Sequence, residues 1–319
     1  MTQPSSAPMA SSSPNKSTNV RYKMAGLLVR ATLQAGFRLA PAYTARKAAQ
    51  LFLSSQRRPP PGRSRSVSRE TPLAIDGPLG PMAVGYYGHG ENPDGPVLLL
   101  VHGWEDDRLT WAPLVDRLVA AGYRVVAPDL PGHGRSPGGA TPIPVLAAAV
   151  AATAREMERI GAVPVHAVIA HSLGGTATLV AAAEHGLRAG RYAILAAPNH
   201  PRLFAAAATV MLGLTPAQTD AVFAAIEAIV GRSMDSLHLP PMLRRLQAPG
   251  LILHSRDDRL VPLAHSRENA AAWPRAEFRI LDGLGHRRLV SDPAVQATLL
   301  HFVASAAPED AFGLKPDAA

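Results

Sequence analysis

Val165-His166-Ala167-Val168-Ile169-Ala170-His171-Ser172-Leu173-Gly174-Gly175 contains a strand, a sharp turn and the start of a helix in eleven residues. Val165–Ala170 is a short apolar run, the pattern of a strand buried on both faces. Thr176–His185 continues as a helix. A serine at such a junction sits in a strained turn that lifts its hydroxyl above the sheet edge, where a base can reach it. Small residues at Ala170 and Gly174 let strand and helix approach closely, and the Leu173 N–H is aimed at the oxygen that becomes negative in acyl transfer. The competing reading of Ser172, a capping serine before a Gly-rich turn, fits the flanking strand and helix less well.

On both sides of this stretch strands and helices alternate. Met82–Tyr87 alternates in polarity and reads as an antiparallel edge strand, and Val97–Val101 (VLLLV) as a strand buried on both faces. Tyr123–Ala127, Ala193–Ala197, Leu251–His254 and Phe278–Leu281 are further strands; Leu114–Ala121, Pro144–Ile160 and Ala294–Ala304 are helices. Alternation repeated this often implies a mostly parallel sheet with helices on both faces. Residues 199–247 break the rhythm with three helical stretches, Leu203–Leu212, Gln218–Ile229 and Met242–Leu246. An insertion there is expected above the carboxyl ends of the strands as a small cap. Its apolar residues, Leu203, Phe204, Val210, Met211, Leu212, Phe223, Ile226 and Ile229, either pack the cap or line a pocket beneath it.

The serine pattern has a decoy. Gly134-Arg135-Ser136-Pro137-Gly138 matches G-x-S-x-G literally, whereas the Ser172 stretch has Ala170 at the first glycine. The residue after a nucleophile must donate its N–H, and Pro137 has none. A serine nucleophile needs an imidazole and a carboxylate to orient it. Of the twelve histidines, His286 lies in the Gly-rich loop Gly283-Leu-Gly-His286 between the last strand and the last helix. That loop belongs to the same sheet edge as Ser172. His301 within a helix and His254 at a strand end have packing or surface readings. The acid follows Leu251–His254 in Ser255-Arg-Asp257-Asp258-Arg-Leu-Val-Pro262, with Asp258 the choice and Asp257 the runner-up. The other plausible position, after Ala193–Ala197, holds Pro198 and Asn199. The loop His102-Gly103-Trp104 supplies a second oxyanion donor, the Trp104 N–H, and a pocket wall, its indole. His102 and Asp129 read as groups that brace loops.

Composition narrows the rest. With no cysteine, thiolate metal sites, a cysteine nucleophile and disulfides are excluded. No H-E-x-x-H, G-x-x-x-x-G-K-[ST] or suitably placed G-x-G-x-x-G occurs, so neither a metal nor a cofactor is expected. The formal charge of +8 comes from one end: residues 1–70 hold 12 Lys and Arg against Glu70 alone, and the remaining residues are slightly acidic. Nucleic acid is therefore not an expected partner. Residues 1–19 read as a disordered tail, residues 21–54 as a basic, weakly amphipathic helix broken at Pro41, and Arg57–Arg69 as a Pro- and Arg-rich linker. Residues 307–319 read as a carboxyl-terminal tail. The basic helix either packs on the body or touches an anionic membrane surface. Met24–Val29 is too short and too soon interrupted by Arg30 for a secretory core, and no apolar run approaches a membrane span. A cytoplasmic location is expected, with peripheral contact to the inner membrane face through that helix.

VLLLVHGW, PDLPGHGRS, AHSLGG, HSRDDRLVP and GLGHRR, in this order, make the chain resemble the α/β-hydrolase superfamily from about Thr71 to Ala304. The resemblance implies an eight-stranded, mostly parallel sheet with helices on both faces and a small helical cap, in a domain of residues 71–306. It implies Ser172 as nucleophile, Asp258 as orienting acid, His286 as base, and Trp104 and Leu173 as oxyanion donors. Serine at the nucleophile position disfavours the branches that use an aspartate. The expected activity is that of a serine esterase acting on a small-molecule ester or acyl compound. An acyltransferase using the same triad, or a non-catalytic binding protein on the same fold, are the alternatives.

Overall fold

The computed structural model describes residues 16–55, 70–160 and 164–305. The linker expected at Arg57–Arg69, the carboxyl-terminal tail at 307–319 and the first 15 residues lie outside them.

Two helices open the chain, α1 (Lys16–Leu39) and α2 (Pro41–Leu53), with Pro41 at the first turn of the second. The helical segment thus begins at Lys16, within the stretch whose polar composition suggested a tail. There follow β1 (Thr71–Gly77), β2 (Gly80–Tyr87), β3 (Val97–Val101), α3 (Ala112–Ala120), β4 (Arg124–Pro128), α4 (Ile143–Arg159), β5 (Ala167–His171), α5 (Leu173–Glu184) and β6 (Tyr192–Leu195). The insertion contributes α6 (Pro201–Met211), α7 (Pro216–Val230), a 3-10 turn over Met234–Leu237 and α8 (Leu239–Leu243). The chain then closes with β7 (Gly250–Ser255), α9 (Leu263–Ala272), β8 (Ala276–Leu281) and α10 (Pro293–Ala304).

The eight strands form one sheet in the order β1-β2-β4-β3-β5-β6-β7-β8. β2 runs antiparallel to both β1 and β4, and every later pairing is parallel. Met82–Tyr87 is therefore not the edge strand that its alternation suggested. The edge is β1, whose Pro72 and mixed polarity hide it in the sequence, and proline is tolerated at an edge because one side of the strand needs no partner.

The continuous apolar runs are strands covered on both faces. In β3, Val97, Leu99 and Val101 join a core with α4 and α5, while Leu98 and Leu100 join another with α3 and α10. β5 divides in the same way, Val168 and Ala170 to one side and Ala167 and Ile169 to the other, as the two-residue period of a strand requires. Helix α5 is buried from Gly174 to Ala182, which suits a helix apolar all round.

A third core lies above the sheet. The stripe Ala45, Ala49 and Leu53 of α2, spaced by one helical turn, packs with Phe37 of α1 against Val222, Phe223 and Ile226 of α7. The small alanines allow close approach of the helices. At its carboxyl end α2 is fastened to the chain after β4: the Leu53 carbonyl accepts the Thr141 N–H at 2.8 Å, Ser54 bridges Ala140, and Ser55 Oγ donates to the Gly132 carbonyl. The hairpin is thus part of the cap. Among the described residues no helix is long and apolar enough to cross a membrane.

Candidate active site

The carboxyl ends of β3, β5, β7 and β8 converge. Ser172 has φ +53° and ψ −129°, a conformation costly for a residue with a side chain. It caps α5 without hydrogen-bonding the helix through its hydroxyl, so the oxygen is left to other partners. Ser172 Oγ donates to His286 Nε2 at 2.8 Å, and His286 Nδ1 donates to Asp258 Oδ2 at 2.7 Å. All three side chains are more than nine-tenths buried. Residues that are 86 and 28 positions apart in the chain are thus brought into one hydrogen-bonded line.

Each member is held by its surroundings. Asp258 Oδ1 accepts the Leu260 and Val261 N–H groups at 2.8 and 3.0 Å. Burial alone would raise the Asp258 pKa, but the hydrogen bonds from His286, Val261 and Leu260 and the proximity of His286 outweigh it and hold the carboxyl below its ordinary value. The runner-up, Asp257, does not reach the imidazole site. It is exposed, accepts the Ser255 hydroxyl at 2.5 Å and the Gly285 N–H at 3.2 Å, and so braces the backbone that presents His286. Gly283 and Gly285 take φ +75° and +61° in that turn, which glycine does at little cost.

The loop after β3 lies against the serine. A Cβ on Gly103 would stand 3.0 Å from Ser172 Cβ, and one on Gly174 would stand 2.1 Å from the His102 carbonyl oxygen. Gly174 is thus required by the approach of this loop's backbone, a closer constraint than the strand–helix contact expected for it. Leu173 begins α5, whose first-turn N–H groups have no partner within the helix. Trp104 and Leu173 both line a cavity of about 340 Å³ beneath the cap. His102 is fully buried, its Nδ1 bonded to the Gly103 carbonyl at 2.7 Å and its Nε2 accepting the Leu130 N–H at 2.9 Å.

The decoy is structural. Ser136 is fully buried, donates to the Asp129 carbonyl at 2.6 Å and accepts the Ala83 N–H at 2.9 Å. Asp129 accepts the Arg108 and Arg135 N–H groups, each at 2.9 Å, and pairs with the Arg108 guanidinium. His254 is fully buried and bonds Ser266 and the Val261 carbonyl, while His301 is exposed on α10. Of the cap's apolar residues Ile226 lines the cavity and Phe223 packs the cap, whereas Leu203, Val210 and Met211 are exposed. Among the described residues no three His, Asp or Glu side chains are grouped so as to hold a metal ion.

One histidine was invisible as a site residue. The His171 ring lies 4.7 Å from that of His286, and its Nε2 donates to the His286 carbonyl at 3.0 Å. Its Nδ1 is buried without a partner. Burial, aided by repulsion from His286, lowers its pKa from 6.5 to about 4. Between those values the unfolded chain binds a proton that the folded chain refuses, so stability is full above about pH 6.5 and falls as the pH drops toward 4. The contribution approaches about 3 kcal/mol. Denaturant titrations of wild type and His171→Gln from pH 7 to 4 should show a shallower acid loss in the variant; identical slopes would show that His171 is not the group refusing the proton.

The chain is similar to known proteins. A family model described as "Alpha/beta hydrolase family" matches residues 98–299. A pimeloyl-[acyl-carrier protein] methyl ester esterase of Xanthomonas campestris pv. campestris is 31% identical over 255 residues, covering 67% of this chain and 97% of the relative. The protein of the same name from Xanthomonas oryzae pv. oryzae is 30% identical, covering 66% and 96%. Among solved structures, an esterase from Pyrococcus furiosus superposes with a TM-score of 0.62 at 15% identity, covering 78% of this chain and 98% of that one. A serine hydrolase from Cycloclasticus zankles does so at 0.55 and 18%, covering 73% and 98%. The likeness in structure concerns the fold alone; the family match spans β3 to α10 and includes every residue of the Ser172–His286–Asp258 line. This chain belongs to the alpha/beta hydrolase family.

Proposed function

We propose that the protein is a serine hydrolase of carboxylic esters in which Ser172 is the nucleophile, His286 the general base and acid, and Asp258 the orienting carboxylate. The observation that carries this reading is the unbroken hydrogen-bonded line from the Ser172 hydroxyl through His286 to the buried Asp258 carboxylate. His286 Nε2 takes the hydroxyl proton as Ser172 Oγ adds to the ester carbonyl. The oxyanion rests on the Trp104 and Leu173 N–H groups. The imidazolium, stabilised by Asp258, returns the proton to the leaving alcohol, which leaves an acyl-serine. Water then repeats the cycle: His286 takes its proton, the hydroxide releases the acid, and Ser172 recovers its hydrogen. The names of the Xanthomonas relatives, esterases of a methyl ester, support a carboxylic ester as substrate. A fluorophosphonate should label Ser172 and no other serine, read by peptide mass analysis; absence of label on folded protein would remove Ser172 from the mechanism.

The outer face of the amino-terminal hairpin rests on an anionic lipid surface. Leu27, Leu28, Val29, Leu39 and Tyr43 are exposed on α1 and α2, as are the basic residues Arg30, Arg38, Arg46 and Lys47. Apolar side chains beside cations suit the boundary between headgroups and acyl chains, and each cation near such a surface contributes about 1 kcal/mol. The full chain should co-sediment with phosphatidylglycerol vesicles at low salt and not with phosphatidylcholine vesicles. Arg38→Glu with Arg46→Glu should weaken that binding by about thirtyfold or more, since the loss of two cations alone removes about 2 kcal/mol. No sedimentation with either vesicle would refute the contact.

A further inference from the structure

We propose that the carboxyl end of α2, upstream of the family match, is the wall that sets the longest acyl chain the site accepts; this rests on the esterase reading above. The cavity lined by Trp104 and Leu173 is also lined by the cap, with Ile226 of α7 and Met234 among its apolar walls. Leu51, Phe52, Leu53 and Ser54 form a further stretch of its wall, beside Thr141, Pro142 and Ile143. The family match begins at residue 98, and the Xanthomonas relatives align over nearly their whole length with only two thirds of this chain. The wall is thus supplied by a segment outside the hydrolase domain that the chain shares with its family.

That wall is fixed from two sides. Leu53 packs in the core shared with α7, and the Leu53 carbonyl and Ser54 are tied to Thr141 and Ala140. A chain end meeting it cannot push it aside without separating α2 from both the cap and the loop after β4. Phe52 is half-buried and lines the cavity, which makes it the residue whose size can be altered with least cost to the core. The fitting ligand is an unbranched, apolar acyl chain. Each methylene buried in an apolar cavity should raise kcat/KM by about fourfold, until the chain end meets the wall and the gain stops.

The test is a series of p-nitrophenyl esters of saturated acids, from acetate to palmitate, with the purified full chain. For wild type, kcat/KM should climb with length and then break. Phe52→Ala should move the break to longer acids by at least two carbons, and Phe52→Trp should move it to shorter ones. The readout is the acid length at which each variant's own series breaks, so an overall change in rate does not obscure it. Thermal melts identify a variant that fails to fold, and the tryptophan variant, which removes no packing, keeps the question open to refutation. If both variants melt as folded proteins and their series break at the wild-type length, α2 does not set the limit. If wild type and Ser172→Ala are equally inactive on every ester, the esterase reading is what fails.

Discussion

Ser172→Ala should lower kcat/KM for ester hydrolysis by about four to six orders of magnitude while leaving the fold in place. The serine hydroxyl makes no cap bond to α5 and bonds His286 Nε2. Its loss therefore removes the attacking atom without orphaning a helix N–H. Alanine meets the same strain at φ +53° as serine does, so the backbone cost is common to both. KM should change little, because the cavity walls and the oxyanion donors are untouched. The residue of activity that survives is the work of those donors and of binding alone. Ser136→Ala is the matched control. It removes a buried hydroxyl that joins the Asp129 carbonyl to the Ala83 N–H, which should cost about 1–3 kcal/mol of stability and little turnover. Steady-state kinetics with a denaturant melt on each variant separates the two serines. Wild-type turnover by folded Ser172→Ala would overturn the mechanism.

The contrast between those serines shows what a linear pattern can carry. The literal G-x-S-x-G belongs to a loop brace, and the relaxed one to the strained turn, because the physics resides in the flanking strand, the helix and the missing N–H of Pro137. The buried strands were legible for the same reason: VLLLV and its successors are apolar without alternation because both faces are covered. β1 was not legible, since an edge strand with one face in solvent and a proline in it has no continuous pattern. The choice between Asp257 and Asp258 depended on which carboxylate faces inward, a one-residue difference that no spacing rule resolves. His171 went unnoticed because its meaning lies in contact with a loop 115 residues away. The hairpin was legible as helix broken at Pro41, with packing on the body as one of two readings, but its partner was not. Its alanine stripe looked weakly amphipathic in isolation, and only the facing stripe on α7 explains why small residues stand there.

Asp258→Asn should reduce kcat by about 10⁴-fold, and Asp257→Asn by no more than a few-fold. The two residues are neighbours with unlike tasks. Asp258 offers one oxygen to His286 Nδ1–H and the other to two backbone N–H groups, so every lone pair in use faces a donor. An asparagine has an NH₂ group that must face one of these sides. Turned toward the loop, it confronts the Leu260 and Val261 N–H groups; turned toward the imidazole, it donates to Nδ1 and puts the proton on Nε2. Ser172 then meets an N–H where it needs a base. The imidazolium also loses the carboxylate that stabilises it. At Asp257 the amide oxygen can still accept from Ser255 and Gly285, and exposure lets the NH₂ group reach water. The pH dependence has a definite sign. Because the folded chain holds the Asp258 carboxyl below its ordinary value, its contribution to stability is full above the unfolded pKa of about 3.9 and is lost as the pH falls through the lower folded value. The stability gap between wild type and Asp258→Asn, read from denaturant melts, should therefore be widest near neutrality and narrow below about pH 4. Activity collapsing in Asp257→Asn and surviving in Asp258→Asn would transfer the orienting role to the neighbour and require the His286 loop to move.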